Sequence, residues 1–139
     1  MEIARQAHAG QVDKAGADYI EHPLRVMENA IIGDERIVAV LHDVVEDSDW
    51  TFEMLDAEGF SSEVITALKC VTKLSEEENY DHFIDRVLTN ELAMRVKLLD
   101  LEDNMDLARL AECTEADVKR NQKYKEAYDR IKANLPYCI

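Results

Sequence analysis

Apolar residues recur at three- and four-residue intervals along most of the chain, the spacing that lines one face of an α-helix. A first helix is expected over roughly Glu2 to Gly10, followed by a loop, GQVDKAGADYIEH. Pro23 sits where a first-turn proline is tolerated, and Leu24, Met27 and Ile31 continue at helical spacing. Gly33 is expected to stop that helix and Asp34 to cap the next, which would run on through Ile37, Val40, Leu41, Val44 and Val45. A short helix near Phe52–Ala57 should end at Gly59, and another should bury Val64, Ile65, Leu68 and Val71. After a solvated acidic loop, SEEEN, the residues Tyr80, Phe83, Ile84, Val87 and Leu88 mark a further helix, and Leu92, Val96 and Leu99 the next. Thr114 with Asp117 resembles a capping box opening a last helix packed through Val118, Tyr124, Tyr128 and Ile131. The pattern predicts an all-α fold, an irregular bundle of seven to eight helices.

Composition narrows the function. At 139 residues, with 47% hydrophobic and 33% charged positions, the chain fits one soluble domain with a sizeable core. The N-terminus begins almost directly on an amphipathic pattern, as if a turn of helix were missing upstream, and shows no signal-peptide layout. No apolar run approaches the ~20 residues of a membrane helix. Cys70, Cys113 and Cys138 are odd in number and lack zinc-type spacing, which fits reduced thiols and a cytoplasmic location. A net charge of −14 argues against nucleic-acid polymers as partners. Between Ile37 and Leu68 there is no Lys or Arg but a series of acids, so a bound cation becomes plausible there.

Candidate chemistry lies in that region. The stretch AVLHDVVED carries His42 and Asp43 side by side, then Glu46 and Asp47 one turn on. Adjacent residues on an ideal helix point about 100° apart, so the pair serves one ion only if other helices complete the shell. Two further stretches offer partners. DYIEHPLRV places His22 at a helix start, and VKLLDLEDNMD places Asp100 in an apolar turn, where a carboxylate needs a pair or a ligand. Lys97 and Asn104 share its face. Two imidazoles and two carboxylates suit Mn²⁺, Fe²⁺ or Zn²⁺. The alternative is that each is separately capped or solvated.

In order, AHAGQ, YIEHPLRV, AVLHDVVED, VTK and VKLLDLEDNMD resemble the motifs of the HD-domain phosphohydrolases, above all the hydrolase domain of the RelA/SpoT family and its small stand-alone relatives. The resemblance spans roughly Ala4 to Leu110. It implies a single all-α HD domain over residues 1–139, and Mn²⁺-dependent removal of the 3′-pyrophosphate from the alarmone (p)ppGpp, a small nucleotide. It further implies that His22, His42, Asp43 and Asp100 hold the metal, that Glu46 and Asp47 are the catalytic pair, and that Lys14 and Asn104 contact the nucleotide. Two positions depart from the family: Asp13 stands where an Arg is usual before Lys14, and Asp103 where a His is usual before Asn104. These leave the metal set intact and open the substrate to a different phosphorylated nucleotide. A catalytically silent nucleotide sensor is a third reading, disfavoured by retention of both Glu46 and Asp47.

Among the remaining polar residues, His8 is expected to bond a loop carbonyl, His82 to lie away from the site, Lys73 to complement a helix end or reach phosphate, and Cys70 to be an inert core thiol.

Overall fold

The chain is described by a computed structural model covering residues 2–12, 16–30, 33–73, 75, 78–105 and 114–135. Lys14, Asp13, Ile31, Cys113 and Cys138 lie outside the described residues. Among those described there are nine helices: α1 (Glu2–Ala7), α2 (Glu21–Asn29), α3 (Gly33–Leu41), α4 (Val44–Asp47), α5 (Phe52–Ala57), α6 (Ser62–Cys70), α7 (Tyr80–Val87), α8 (Glu91–Asn104) and α9 (Glu115–Asn134). They include no strand, and one isolated bridge pairs Val12 with Asp18 across the loop after α1. None of the helices is long and apolar enough to cross a membrane.

Local chemistry sets most helix starts. The Thr51 and Ser61 hydroxyls accept from the Met54 and Val64 amides at 3.2 Å each, opening α5 and α6. The Asn79 and Asn90 side-chain carbonyls do the same for α7 and α8. Thr114 and Asp117 form the full capping box of α9. Gly59 follows α5 at φ 96°, a left-handed conformation that disfavours any side chain with a Cβ.

Burial of apolar faces then assembles the bundle. α2 packs on α3 and α8, α3 on α6 and α8, and α9 covers α8. The core these helices share includes Val26, Val38, Val44, Leu55, Leu68, Ile84, Val96, Leu101 and Ile131, all at most 1% exposed. Fully burying side chains of this size stabilises the fold by roughly 1.5–3 kcal/mol each before ordering entropy is counted.

Four expectations are corrected by this arrangement. The helix expected to run through Val44 and Val45 is interrupted at His42 and Asp43, which form a turn between α3 and α4. Gly33 starts α3 instead of ending α2, which stops at Asn29 with Ala30 extended. Val118 is 54% exposed, so α9 packs through Ala127 and Ile131, with Tyr124 and Tyr128 half-buried. Glu78, in the acidic loop, is not solvated: its side chain is 4% exposed and pairs with Arg86 at 2.8 Å. Arg86 also donates to the Lys69 and Thr72 carbonyls, fastening the end of α6 to α7.

Candidate metal centre

Three segments far apart in sequence bring the four expected ligands together. His22 is the second residue of α2, where Pro23 beside it forfeits no helical hydrogen bond. His42 and Asp43 occupy the break between α3 and α4. Asp100 lies on the inward face of α8 and is 4% exposed. One donor atom from each of His22, His42, Asp43 and Asp100 falls within 4.8 Å of the other three.

The helix break is what lets the adjacent pair converge. His42 Nδ1 lies 2.5 Å from the Ala39 carbonyl, one of the acceptors left open at the end of α3. A carbonyl only accepts, so Nδ1 carries the hydrogen and Nε2 is left to face the centre. Asp43, at φ −105° and ψ 0°, then turns its carboxylate back over His42, with Oδ2 3.0 Å from His42 Nε2. His22 Nε2 and His42 Nε2 approach Asp100 Oδ1 at 2.8 and 3.1 Å, and the two rings meet edge to face at 5.2 Å.

Within the cluster the charged groups hold one another in their charged forms. Burial disfavours charge on all four groups, and mutual pairing outweighs it. His22 and His42 are both raised above the usual imidazole range, against burial, by their Asp100, Asp103 and Asp43 contacts. Asp43 is held down to about 2, against burial, by the neighbouring His42 charge. Asp100 is held well below the carboxylate range, against burial, by Lys97 and His42. Protons on the imidazoles thus compensate the carboxylates, at the positions a divalent cation would take. The mixed nitrogen and oxygen donor set fits Mn²⁺, Fe²⁺ or Zn²⁺.

Beside the cluster stand Glu46 and Asp47 in α4. Both reach solvent, and partial burial followed by the Asp43 charge raises both; Asp47 comes to about 6. A cavity of about 510 Å³ opens from this pair and is lined also by Phe52, Lys69, Thr72, Lys73 and Arg86. The acidic pair and the cations Lys69, Lys73 and Arg86 thus line one cavity.

Asn104 donates from Nδ2 to Asp100 Oδ1 at 3.1 Å, so it supports the cluster from the end of α8. His8 is 2% exposed and bonds the Gln11 side chain at 2.9 Å instead of a loop carbonyl. Gln11 in turn donates to the Asp47 carbonyl at 2.8 Å, tying α1 to α4. His82 pairs with Glu78 at the surface, and Cys70 is only half-buried, 3.7 Å from Thr89 Oγ1.

Sequence reasoning missed Tyr19, whose hydroxyl donates to Asp43 Oδ2 at 2.6 Å and also faces Asp47. It also missed the attachment of Asp103 and Arg25 to His22. Tyr19 lies three residues before His22, the one signal that could have flagged it.

No family model matches the chain. It is 35% identical over 131 residues to a guanosine-3′,5′-bis(diphosphate) 3′-pyrophosphohydrolase of Vibrio cholerae, covering 85% of this chain and 18% of that protein. A protein of the same name from Aquifex aeolicus is 34% identical over 113 residues, covering 76% of this chain and 16% of the relative. The chain thus spans less than a fifth of the length of these curated relatives. A solved structure described as a metazoan ortholog of SpoT that hydrolyzes ppGpp superposes with a TM-score of 0.80 at 23% identity, covering 97% of this chain and 84% of that one. The fold is therefore the all-α HD fold, and in sequence this chain resembles one segment of the RelA/SpoT-type (p)ppGpp 3′-pyrophosphohydrolases.

Proposed function

We propose that this chain is a divalent-metal-dependent phosphohydrolase that removes the 3′-pyrophosphate from (p)ppGpp or a closely related nucleotide. The observation that carries the reading is the convergence of His22, His42, Asp43 and Asp100 beside the Glu46–Asp47 pair. The names of its sequence relatives support the same chemistry. The chain acts as one domain on a small nucleotide, and the resident ion is Mn²⁺.

His22, His42, Asp43 and Asp100 would hold the ion. When bound, it supplies Lewis acidity to a phosphoryl oxygen and to the attacking water. Glu46 and Asp47 would take the water's proton as its oxygen bonds to phosphorus. Asp47, raised to about 6 without the cation and lowered again by its charge, would be ionised at neutral pH and able to accept the proton. The bond from phosphorus to the ribose 3′ oxygen breaks, that oxygen takes up a proton to become a hydroxyl, and the products are the nucleoside 5′-diphosphate or 5′-triphosphate and pyrophosphate. Lys69 and Lys73, which line the same cavity, would offset phosphate charge that a chain of net charge −14 would otherwise repel. Lys14 and Asn104 contact the nucleotide.

Asp13 favours a second reading, an HD phosphohydrolase for a different phosphorylated nucleotide, because its charge opposes a polyphosphate next to Lys14. Screening the Mn²⁺-loaded protein against (p)ppGpp and a panel of nucleotides and phosphoesters separates the two. Release of pyrophosphate from (p)ppGpp is expected. Turnover of other nucleotides with none of (p)ppGpp establishes the second reading, and no turnover of any leaves a nucleotide sensor.

A further inference from the structure

We propose that Asp103 and Arg25 act as a positioning pair for His22, fixing which ring nitrogen faces the cation and strengthening it as a donor; this rests on the metal reading above. The two nitrogens of His22 have separate partners. Nε2 looks into the centre, 2.8 Å from Asp100 Oδ1 and 3.7 Å from Asp43 Oδ2. Nδ1 looks away from it, 2.5 Å from Asp103 Oδ2. An ionised carboxylate only accepts, so Nδ1 carries the hydrogen and the Nε2 lone pair is assigned to the cation.

Asp103 is itself held. Arg25 Nε donates to Oδ1 at 2.7 Å and Nη2 to Oδ2 at 3.1 Å, a two-point clamp that fixes the plane of the carboxylate. The Asp103 side chain is 10% exposed and that of Arg25 30%, so the clamp works largely shielded from water. Arg25 follows His22 by three residues on α2, and Asp103 follows Asp100 by three on α8. The pair therefore joins the two helices that carry ligands, one turn behind the ligands themselves. His42 reaches the same tautomer through a neutral carbonyl, Ala39, at 2.5 Å. The imidazoles thus differ: one is backed by a neutral dipole and the other by a clamped anion, and the anion makes His22 the stronger donor. Asp103 and Arg25 act on His22 from the side of Nδ1, away from the donor atom facing the centre, which makes their role one of positioning.

The test is titration of the full chain with Mn²⁺ alone, beside melting of the metal-free protein. Asp103→Ala should weaken Mn²⁺ affinity about 10- to 100-fold. Asp103→Asn, which keeps the shape and an acceptor but not the charge, should fall between it and the parent, and serves if the alanine variant fails to fold. Arg25→Met keeps the carboxylate on His22 and should weaken binding less than Asp103→Ala, even where both lower the metal-free melting temperature equally. In the Zn²⁺-loaded protein, the His22 Nδ1–H proton should resonate far downfield by NMR in the parent and in Arg25→Met, and move upfield in Asp103→Ala. Parental affinity in both Asp103 variants overturns the proposal. So does a loss that follows melting temperature alike in Asp103→Ala and Arg25→Met, because a mere helix clamp behaves that way. A parent that binds no Mn²⁺, or an Asp100→Ala variant that binds it as well as the parent, refutes the metal reading itself and takes this inference with it.

Discussion

Lys97 Nζ lies 2.8 Å from Asp100 Oδ2, the oxygen opposite the one that meets His22, His42 and Asn104. The carboxylate is thereby divided between two tasks. One oxygen serves the centre, and the other neutralises a buried ammonium one turn earlier on the same helix. Lys97 is raised above the usual lysine range, against burial, by the Asp100 charge.

Asp100→Ala should therefore do two kinds of damage. It removes a proposed ligand, and it strands Lys97, whose side chain is only 12% exposed, as an uncompensated charge worth about 3–5 kcal/mol. Asp43→Ala should abolish stoichiometric metal with a smaller loss of stability. Metal analysis and urea denaturation of both variants check this, and unchanged stoichiometry in the two would sink the ligand assignment.

The double variant Glu46→Gln, Asp47→Asn should keep its metal and fold while losing roughly 10²–10⁴ in turnover. In the parent, kcat/KM should fall on acidification as Asp47, raised to about 6 and lowered again by any bound cation, takes up its proton. Steady-state rates from pH 4 to 8 report the limb. A double variant as fast as the parent places the base elsewhere.

Metal affinity should rise with pH. His22 and His42 are raised in the folded chain, so the stability their protons confer is fully present below the unfolded value, about 6.5. It is lost as pH climbs through the raised folded values. Asp43 and Asp100 are depressed, so their contribution is lost only as pH falls below the ordinary carboxylate range. A cation competes with the imidazole protons alone. The gain in melting temperature on adding Mn²⁺ should be larger at pH 8 than at pH 6, and an equal gain at both would contradict proton competition.

If Asp13 faces the nucleotide, Asp13→Arg should improve kcat/KM for (p)ppGpp by about tenfold or more and leave metal stoichiometry unchanged; if it turns outward, the change should matter little and the parent should already hydrolyse (p)ppGpp well. A like-charge pair at ~4 Å costs about 4 kcal/mol at an effective dielectric near 20, and ~1.4 kcal/mol surviving screening is already a factor of ten. A parent inactive on (p)ppGpp, with no gain in this variant, gives first place to a different nucleotide.

Leu101→Ala, at a position 0% exposed between α8 and its neighbours, should destabilise the fold by about 2–5 kcal/mol. Thr114→Ala removes the α9 cap and should cost about 1 kcal/mol. Thermal melts followed by circular dichroism measure both, and a reversed order would remove Leu101 from the core that anchors the α8 ligand.

The helices, and the residues His22, His42, Asp43 and Asp100 that the fold groups together, were legible because each leaves a local mark: apolar spacing, a Thr114–Asp117 box, an aspartate among leucines. The break at His42 was not. Val40, Leu41, Val44 and Val45 keep helical phase straight across it, and the interruption comes from a side chain taking the Ala39 carbonyl, which no periodicity records. Glu78 looked solvated because its partner, Arg86, arrives from a neighbouring helix. Asp103 was legible only as a departure from the family, since its contact to His22 spans 81 residues.

The shortness of α4 carries a consequence for how the two halves of the site move. Its closure rests on the Asp47 amide bonding the Asp43 carbonyl at 2.9 Å, and four residues do not repay the entropy of a helical nucleus. The carboxylate pair is consequently held in register from outside, by Gln11 on the Asp47 carbonyl and by Val44 in the core. Its opening free energy should be low beside that of α8. In deuterated water the Asp47 amide should exchange well before those of Val96 and Asp100. The residues that would move protons thus sit on the more yielding part of the scaffold, and those that would hold charge on the more rigid part.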